Sequence, residues 1–273
     1  MDPAAHIAAI EQDGLALAAA AERAGLAAPV PSCPSWQVRD LLRHVSYVHR
    51  WAAAYVGQQI GHRVQRLTEA ELLAGGPPDA SLLAWFRAGH AELTAALASA
   101  GPDLACWTFL PARTPLAFWA RRQAHETAIH RADAQLAAGE EPVFAAGLAA
   151  DGIDELLLGF FAGPGAGSGT DGEASTADCG GAAGSAAGRT LRLRAADTGD
   201  QWYARLAADG RDVERTGRGP GPAGPVGCEL AGPASSLYRL MWNRAGAGLA
   251  DVALDGDDQL LRDWRTGMSV DWG

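Results

Sequence analysis

Trp119, Gln123, Glu126, His130, Asp133 and Ala137 recur at spacings of three and four, the period of one helix face. A stripe that opens on tryptophan and closes on alanine belongs against a core, yet four successive members are polar or ionisable. Burying an ionised carboxylate alone costs far more than a domain can spare. Such a helix therefore folds only where Glu126 is paired or binds a metal. Glu126 and His130, four apart, lie one turn above each other and can reach a single ion. A second stripe, Leu41, His44, Val48, Trp51 and Tyr55, carries His44 where an apolar residue is expected and offers a third ligand from a neighbouring helix. Two histidines and one carboxylate leave a coordination position open, as in catalytic rather than structural zinc sites. The same spacing occurs on many surface helices, and a lone histidine on an apolar stripe is commonly a satisfied core residue, so the bland reading stays open at this point. His49 lies well around the helix from His44 and is a weak substitute for it. His6, His62, His90 and His125 have no such context and read as surface or incidental.

The helices that carry these stripes are clearly punctuated. The first opens at Asp2-Pro3, a cap followed by proline at the first helical position, and stops near Gly25. Gly14 inside it costs about 1 kcal/mol against alanine. The second is expected from a Ser35 cap to Gly57, the third from Asp79 or Ser81 to Ser99, and the fourth from Thr114-Pro115 to Gly139. Four amphipathic helices with moderate connections predict a four-helix bundle, where metal sites are commonly built from facing helices.

The character changes beyond residue 142, so the expected domains are a bundle over 1–142 and a small α+β domain over 143–273. Leu148–Phe161 reads as a fifth, apolar helix. The Gly-, Ala- and Ser-rich tract of 163–188 has too little to bury and reads as a flexible insertion. Thr190–Ala195 and Gln201–Leu206 alternate like strands about an Asp197-Thr198-Gly199-Asp200 turn, and Arg211–Gly217 is a possible third. A helix over Ala234–Arg244, a short strand over Val252–Leu254 and a helix over Gln259–Arg265 complete the expectation. The overall class is α+β.

Composition narrows function by exclusion. A net charge of −10 argues against nucleic acid or an anionic membrane as the main partner. All 22 basic residues are arginine, which rules out a lysine-type phosphate loop and Schiff-base chemistry and points to a very GC-rich genome. Cys33, Cys106, Cys179 and Cys228 lie far apart with no paired spacing, so a reduced, cytoplasmic protein is expected. The start, Met1-Asp2-Pro3-Ala4-Ala5-His6, carries no visible secretory signal, and no stretch approaches a membrane span.

The run from Val30 through Pro34-Ser35-Trp36-Gln37-Val38-Arg39-Asp40-Leu41-Leu42-Arg43-His44, together with His125-Glu126-Thr127-Ala128-Ile129-His130-Arg131-Ala132-Asp133, resembles the mycothiol-dependent maleylpyruvate isomerase family, itself part of the DinB-like group of metal-binding four-helix bundles. The resemblance spans essentially the whole chain. It is looser in the C-terminal part, where Leu237–Arg244 and Leu254-Asp255-Gly256-Asp257 are similar to sterol-carrier-like domains. It implies a divalent metal, usually zinc, held by His44, Glu126 and His130, and a catalytic arginine, for which Arg244 stands in position. It also implies mycothiol, the thiol of GC-rich actinobacteria, as cosubstrate and a small electrophile as substrate, acted on by a monomer or weak homo-oligomer. The implied reaction is cis–trans isomerisation of a maleylpyruvate-like compound. Transfer of the thiol to another electrophile shares every step up to the adduct and stays open. So do metal binding without catalysis and, last, carriage of a hydrophobic ligand. The 163–188 tract departs from the compact family pattern.

Overall fold

The computed structural model describes residues 1–64, 67–161, 189–207, 210–217, 219, 221–222, 224–244 and 250–267. The expected insertion at 163–188 lies outside them. The fold is α+β, and the chain divides into two compact units, residues 1–108 with 112–142, and 109–111 with 143–272.

In the first unit α1 (Pro3–Ala24) starts as the sequence predicts: the Asp2 carboxylate accepts from the Ala5 amide at 2.8 Å, and Pro3 leads the helix. α2 (Val38–Gly57) begins two residues later than a Ser35 cap would place it, with Gln37 as its cap. The reason is the preceding loop. Val30 donates its amide to Trp36 and Trp36 to Cys33, and Pro29 bridges Gln37, so the backbone is committed to a turn until Gln37, whose amide reaches Asp40 at 2.9 Å. A short α3 (Glu69–Ala74) was not expected, although Thr68-Glu69-Ala70-Glu71 spells a capping box: Thr68 donates its amide to Glu71 at 2.9 Å, and the Glu71 amide returns to Thr68 Oγ1 at 3.3 Å. α4 (Asp79–Ser99) and α5 (Pro115–Ala137) complete the set.

The four long helices form a ring in which α1 packs on α5, α5 on α2, α2 on α4 and α4 on α1. α2 and α5 run antiparallel, as shown by Trp51 against Trp119 near one end and His44 beside His130 towards the other. One end of the core is mainly aliphatic, with Leu17, Val30, Leu41, Val45 and Leu82 around Phe86. The other is aromatic, with Tyr55 stacked on Trp119 at 5.0 Å and the Trp119 indole donating to the Trp107 carbonyl. The polar stripe of α5 lies between them. Gly14 has a packing reason. A Cβ there would sit 2.2 Å from His90 Nε2, which lies 2.9 Å from the Ile10 carbonyl, so α1 approaches α4 only through a glycine.

In the second unit α6 (Ala146–Asp154) runs on into a π-helical segment, Glu155–Phe161, where a single α-helix was expected. A five-stranded sheet follows in the order β3-β2-β1-β4-β5, made of β1 (Arg189–Ala195), β2 (Gln201–Ala207), β3 (Gly210–Arg215), β4 (Cys228–Gly232) and β5 (Ala253–Gly256). β1 pairs β2 antiparallel as the hairpin reading predicts, with Leu193 opposite Trp202. β4, unforeseen, lies parallel to β1 with Leu193 opposite Leu230. Leu191, Leu193, Trp202, Ala204, Cys228 and Leu230 are buried, whereas Arg192 on the other face of β1 bonds Glu229 at 2.7 Å. α7 (Ala234–Met241) stops three residues short of Arg244, and α8 (Asp258–Gly267) follows β5. No described helix is long and apolar enough to cross a membrane.

Candidate metal centre

Antiparallel packing of α2 on α5 brings together three of the four residues singled out from the sequence. His44 Nε2 lies 3.1 Å and His130 Nε2 3.2 Å from the same atom, Glu126 Oε1, and all three side chains are buried. One ligand atom from each lies within 4.8 Å of the others. The fourth residue, Arg244, belongs to the second unit. It ends α7 in a Schellman arrangement: Asn243 takes φ 57°, its amide reaches the Leu240 carbonyl, and the Arg244 amide reaches that of Arg239 at 2.7 Å. Its guanidinium Nη1 donates to the Trp242 carbonyl at 2.8 Å, and the residue is half-buried.

Glu126 and His130 are each tied down on the far side. Glu126 offers Oε1 to the histidines because Oε2 is taken by the Arg122 guanidinium, one turn back and 2% exposed, at 3.1 Å. His130 Nδ1 lies 2.8 Å from Asp133 Oδ2, and Ser32 donates its hydroxyl to the other oxygen of Asp133. A carboxylate only accepts, so Nδ1 carries the proton and Nε2 turns towards Glu126. Trp36, from the same loop as Ser32, covers the site, its ring 5.0 Å from His44 and stacked over His130 at 6.3 Å.

These contacts set the charges. Burial opposes ionisation of Glu126, but hydrogen bonds from His130 and His44 and the nearby Arg122 charge outweigh it and hold the carboxyl well below its usual range. Burial likewise opposes a charge on His130, yet its bonds to Asp133 and Glu126 raise it to about 9. The donor set thus converges on one point with a carboxylate oxygen and an imidazole nitrogen facing each other. A proton can hold them there, and so can a divalent cation, whose preferred ligands these are. The residues fit a zinc-type ion.

Histidines set aside on sequence grounds prove to be buried. His6, His90 and His125 are all under 9% exposed, and only His62 stands in solvent as expected. His49 is no substitute ligand: its Nε2 lies 2.9 Å from Thr127 Oγ1, whose hydroxyl donates to the Gln123 carbonyl at 2.7 Å. Sequence reasoning missed Arg122, Ser32 and Trp36. The four-residue spacing of Arg122 and Glu126 was a usable signal; the other two come from a loop whose placement no periodicity encodes.

With the geometry established, comparison with known proteins gives a consistent result. Residues 7–135 match the family described as mycothiol maleylpyruvate isomerase N-terminal domain, which bears out the resemblance read from the sequence. Two solved structures, the mycothiol-dependent maleylpyruvate isomerase and a histidine-to-alanine mutant of it, each align over 98% of this chain and 95% of their own at 14% identity and a TM-score of 0.58. At that identity the likeness establishes the fold. A ubiquinone synthesis protein, UbiJ-SCP2, aligns over 31% of this chain and 69% of its own at 19% identity with a TM-score of 0.26, too low to bear on the second unit. No protein of curated function matches the sequence significantly.

Proposed function

Because its bundle belongs to the mycothiol maleylpyruvate isomerase N-terminal domain family, we propose that this chain is a mycothiol-dependent metalloenzyme acting on a small electrophile, with cis–trans isomerisation of a maleylpyruvate-like compound as its reaction. The observation that carries the proposal is the convergence of His44 Nε2, Glu126 Oε1 and His130 Nε2 within 4.8 Å in a buried place. When bound there, a divalent ion such as zinc would supply a Lewis acid that lowers the pKa of a thiol, about 8.5 when free, so that its proton is lost to solvent.

The protein's own groups then have distinct tasks. His44, Glu126 and His130 would hold the ion. Arg122 neutralises Glu126 from behind, and Trp36 walls the site against water. The thiolate adds to a conjugated cis double bond, leaving a single bond that can rotate. Expulsion of the same thiolate restores the double bond as trans, so mycothiol is regenerated. Arg244 is assigned to the substrate carboxylate, or to the enolate that forms on addition. A cytoplasmic location is part of this reading. The state of assembly in this reading is a monomer or weak homo-oligomer.

Elemental analysis is the first test. Wild type should hold about one divalent ion per chain, and His44→Ala, Glu126→Ala and His130→Ala should each lose most of it. Full occupancy in all three would sink the site. Calorimetry then compares mycothiol binding to zinc-loaded and metal-free protein, followed by an assay on maleylpyruvate. Equal binding to both forms would refute the catalytic role, leaving a metal-binding protein. Adduct formation without trans product would instead make the protein a mycothiol S-transferase.

A further inference from the structure

The loop between α1 and α2 reaches the candidate metal centre through Ser32 as well as Trp36, neither of them marked by periodicity. Ser32 donates its hydroxyl to Asp133 Oδ1, and Asp133 Oδ2 accepts from His130 Nδ1 at 2.8 Å. Asp133 has no exposed surface, and the loop that delivers Ser32 is held by its own backbone bonds, Val30 to Trp36, Cys33 to Val30 and Trp36 to Cys33. A fully buried carboxylate one turn from a ligand histidine is costly unless its lone pairs are used.

We propose that Ser32 and Asp133 are positioning residues that keep a proton on Nδ1 of His130 and fix its ring orientation, so that Nε2 faces Glu126 and is the nitrogen left to a divalent ion. The proposal rests on the metal-binding reading above. Ser32 sets which way the Asp133 carboxyl faces, because its hydroxyl occupies one oxygen and leaves the other for His130. Asp133 sets which imidazole nitrogen bears the proton, because a carboxylate cannot donate. An asparagine at 133 can turn its amide N–H groups towards Nδ1, which would move the imidazole proton to Nε2 and block the ligand position. The α1–α2 loop thereby becomes part of the metal site: its folding prepares one ligand, while Trp36 on the same loop packs against both histidines.

The test measures zinc affinity by competition with a chromophoric chelator for wild type, Asp133→Asn, Ser32→Ala and Ser32→Thr, and the melting temperature of each metal-free protein. Loss of a partner behind a ligand histidine typically weakens metal binding about 10- to 100-fold. Asp133→Asn should fall in that range and Ser32→Ala should lose severalfold, while Ser32→Thr, which keeps the hydroxyl, restores near-wild-type affinity. The metal-free melting temperatures of the serine variants should stay within a few degrees of one another. Zinc affinity within twofold of wild type in both Asp133→Asn and Ser32→Ala would overturn the proposal while leaving the metal site intact. If Asp133→Asn does not fold, the serine pair decides: equal affinities for Ser32→Ala and Ser32→Thr refute it. Absence of zinc binding in wild type would overturn the functional reading itself, and this inference with it.

Discussion

Acid should destabilise the bundle through His49 more than through an average histidine. Its ring is fully buried between α2, α4 and α5, with Phe86 and His90 on one side and Thr127 on the other. Thr127 gives its proton to the Gln123 carbonyl, so His49 must donate from Nε2 and is neutral, with no hydrogen-bond partner for Nδ1 among the described residues. Desolvation, helped by the charges of His90, His130 and Arg50 and opposed by that of Glu126, lowers its pKa from 6.5 to about 3. The unfolded chain therefore binds a proton between pH 6.5 and 3 that the folded chain refuses, and stability falls as pH drops through that window. Each pH unit below 6.5 costs about 1.4 kcal/mol, so at pH 5 the loss is about 2 kcal/mol. His49→Gln keeps a donor for Thr127 but cannot titrate. Urea unfolding of metal-free protein, followed by helix signal at pH 7 and pH 5, should show wild type losing about 2 kcal/mol more than the variant. Titrating groups that do not interact with His49 are common to both proteins and cancel. A difference between wild type and His49→Gln that is the same at both pH values would refute the reasoning.

Three further outcomes are expected. Gly14→Ala should destabilise the bundle by about 1–2 kcal/mol in thermal unfolding, because overpacking against His90 outweighs the gain in helix propensity; a stabilised variant would mean that His90 moves aside freely. Arg122→Met should lower the stability of metal-free protein by about 3 kcal/mol, since it takes one of two neighbouring cations from the buried Glu126, and by less with zinc bound. Equal losses with and without zinc would show that the ion does not share in balancing that charge. Arg244→Ala should leave mycothiol binding to zinc-loaded protein nearly unchanged while slowing turnover of a carboxylate-bearing electrophile; weakened thiol binding with unchanged turnover would remove Arg244 from the substrate side.

Local chemistry made much of this protein legible before any coordinates. Helix starts at Asp2-Pro3 and Thr114-Pro115 are written in residues that touch only their own first turn, and the polar stripe from Gln123 to Asp133 follows from helical period alone. Burial cost then required that Glu126 be paired, which is a statement about any fold. What periodicity could not supply is which helix arrives opposite. That His44 rather than His49 meets Glu126 depends on the antiparallel register of α2 on α5, settled by side chains such as Trp51 and Trp119 far from the site. The cap of α2 moved from Ser35 to Gln37 because loop bonds outcompeted a local cap, and β4 escaped notice because parallel pairing with β1 joins segments distant in the chain. His6, His90 and His125 read as incidental because alanine-rich helices give little contrast between an inner and an outer face. Ser32 and Trp36 reach the histidines only through a folded loop, and Gly14 shows its purpose only when α4 lies against α1. A periodic stripe is a property of one helix and can be read from it; a ligand's partner on another element is a property of packing, which only the summed contacts of the whole bundle decide.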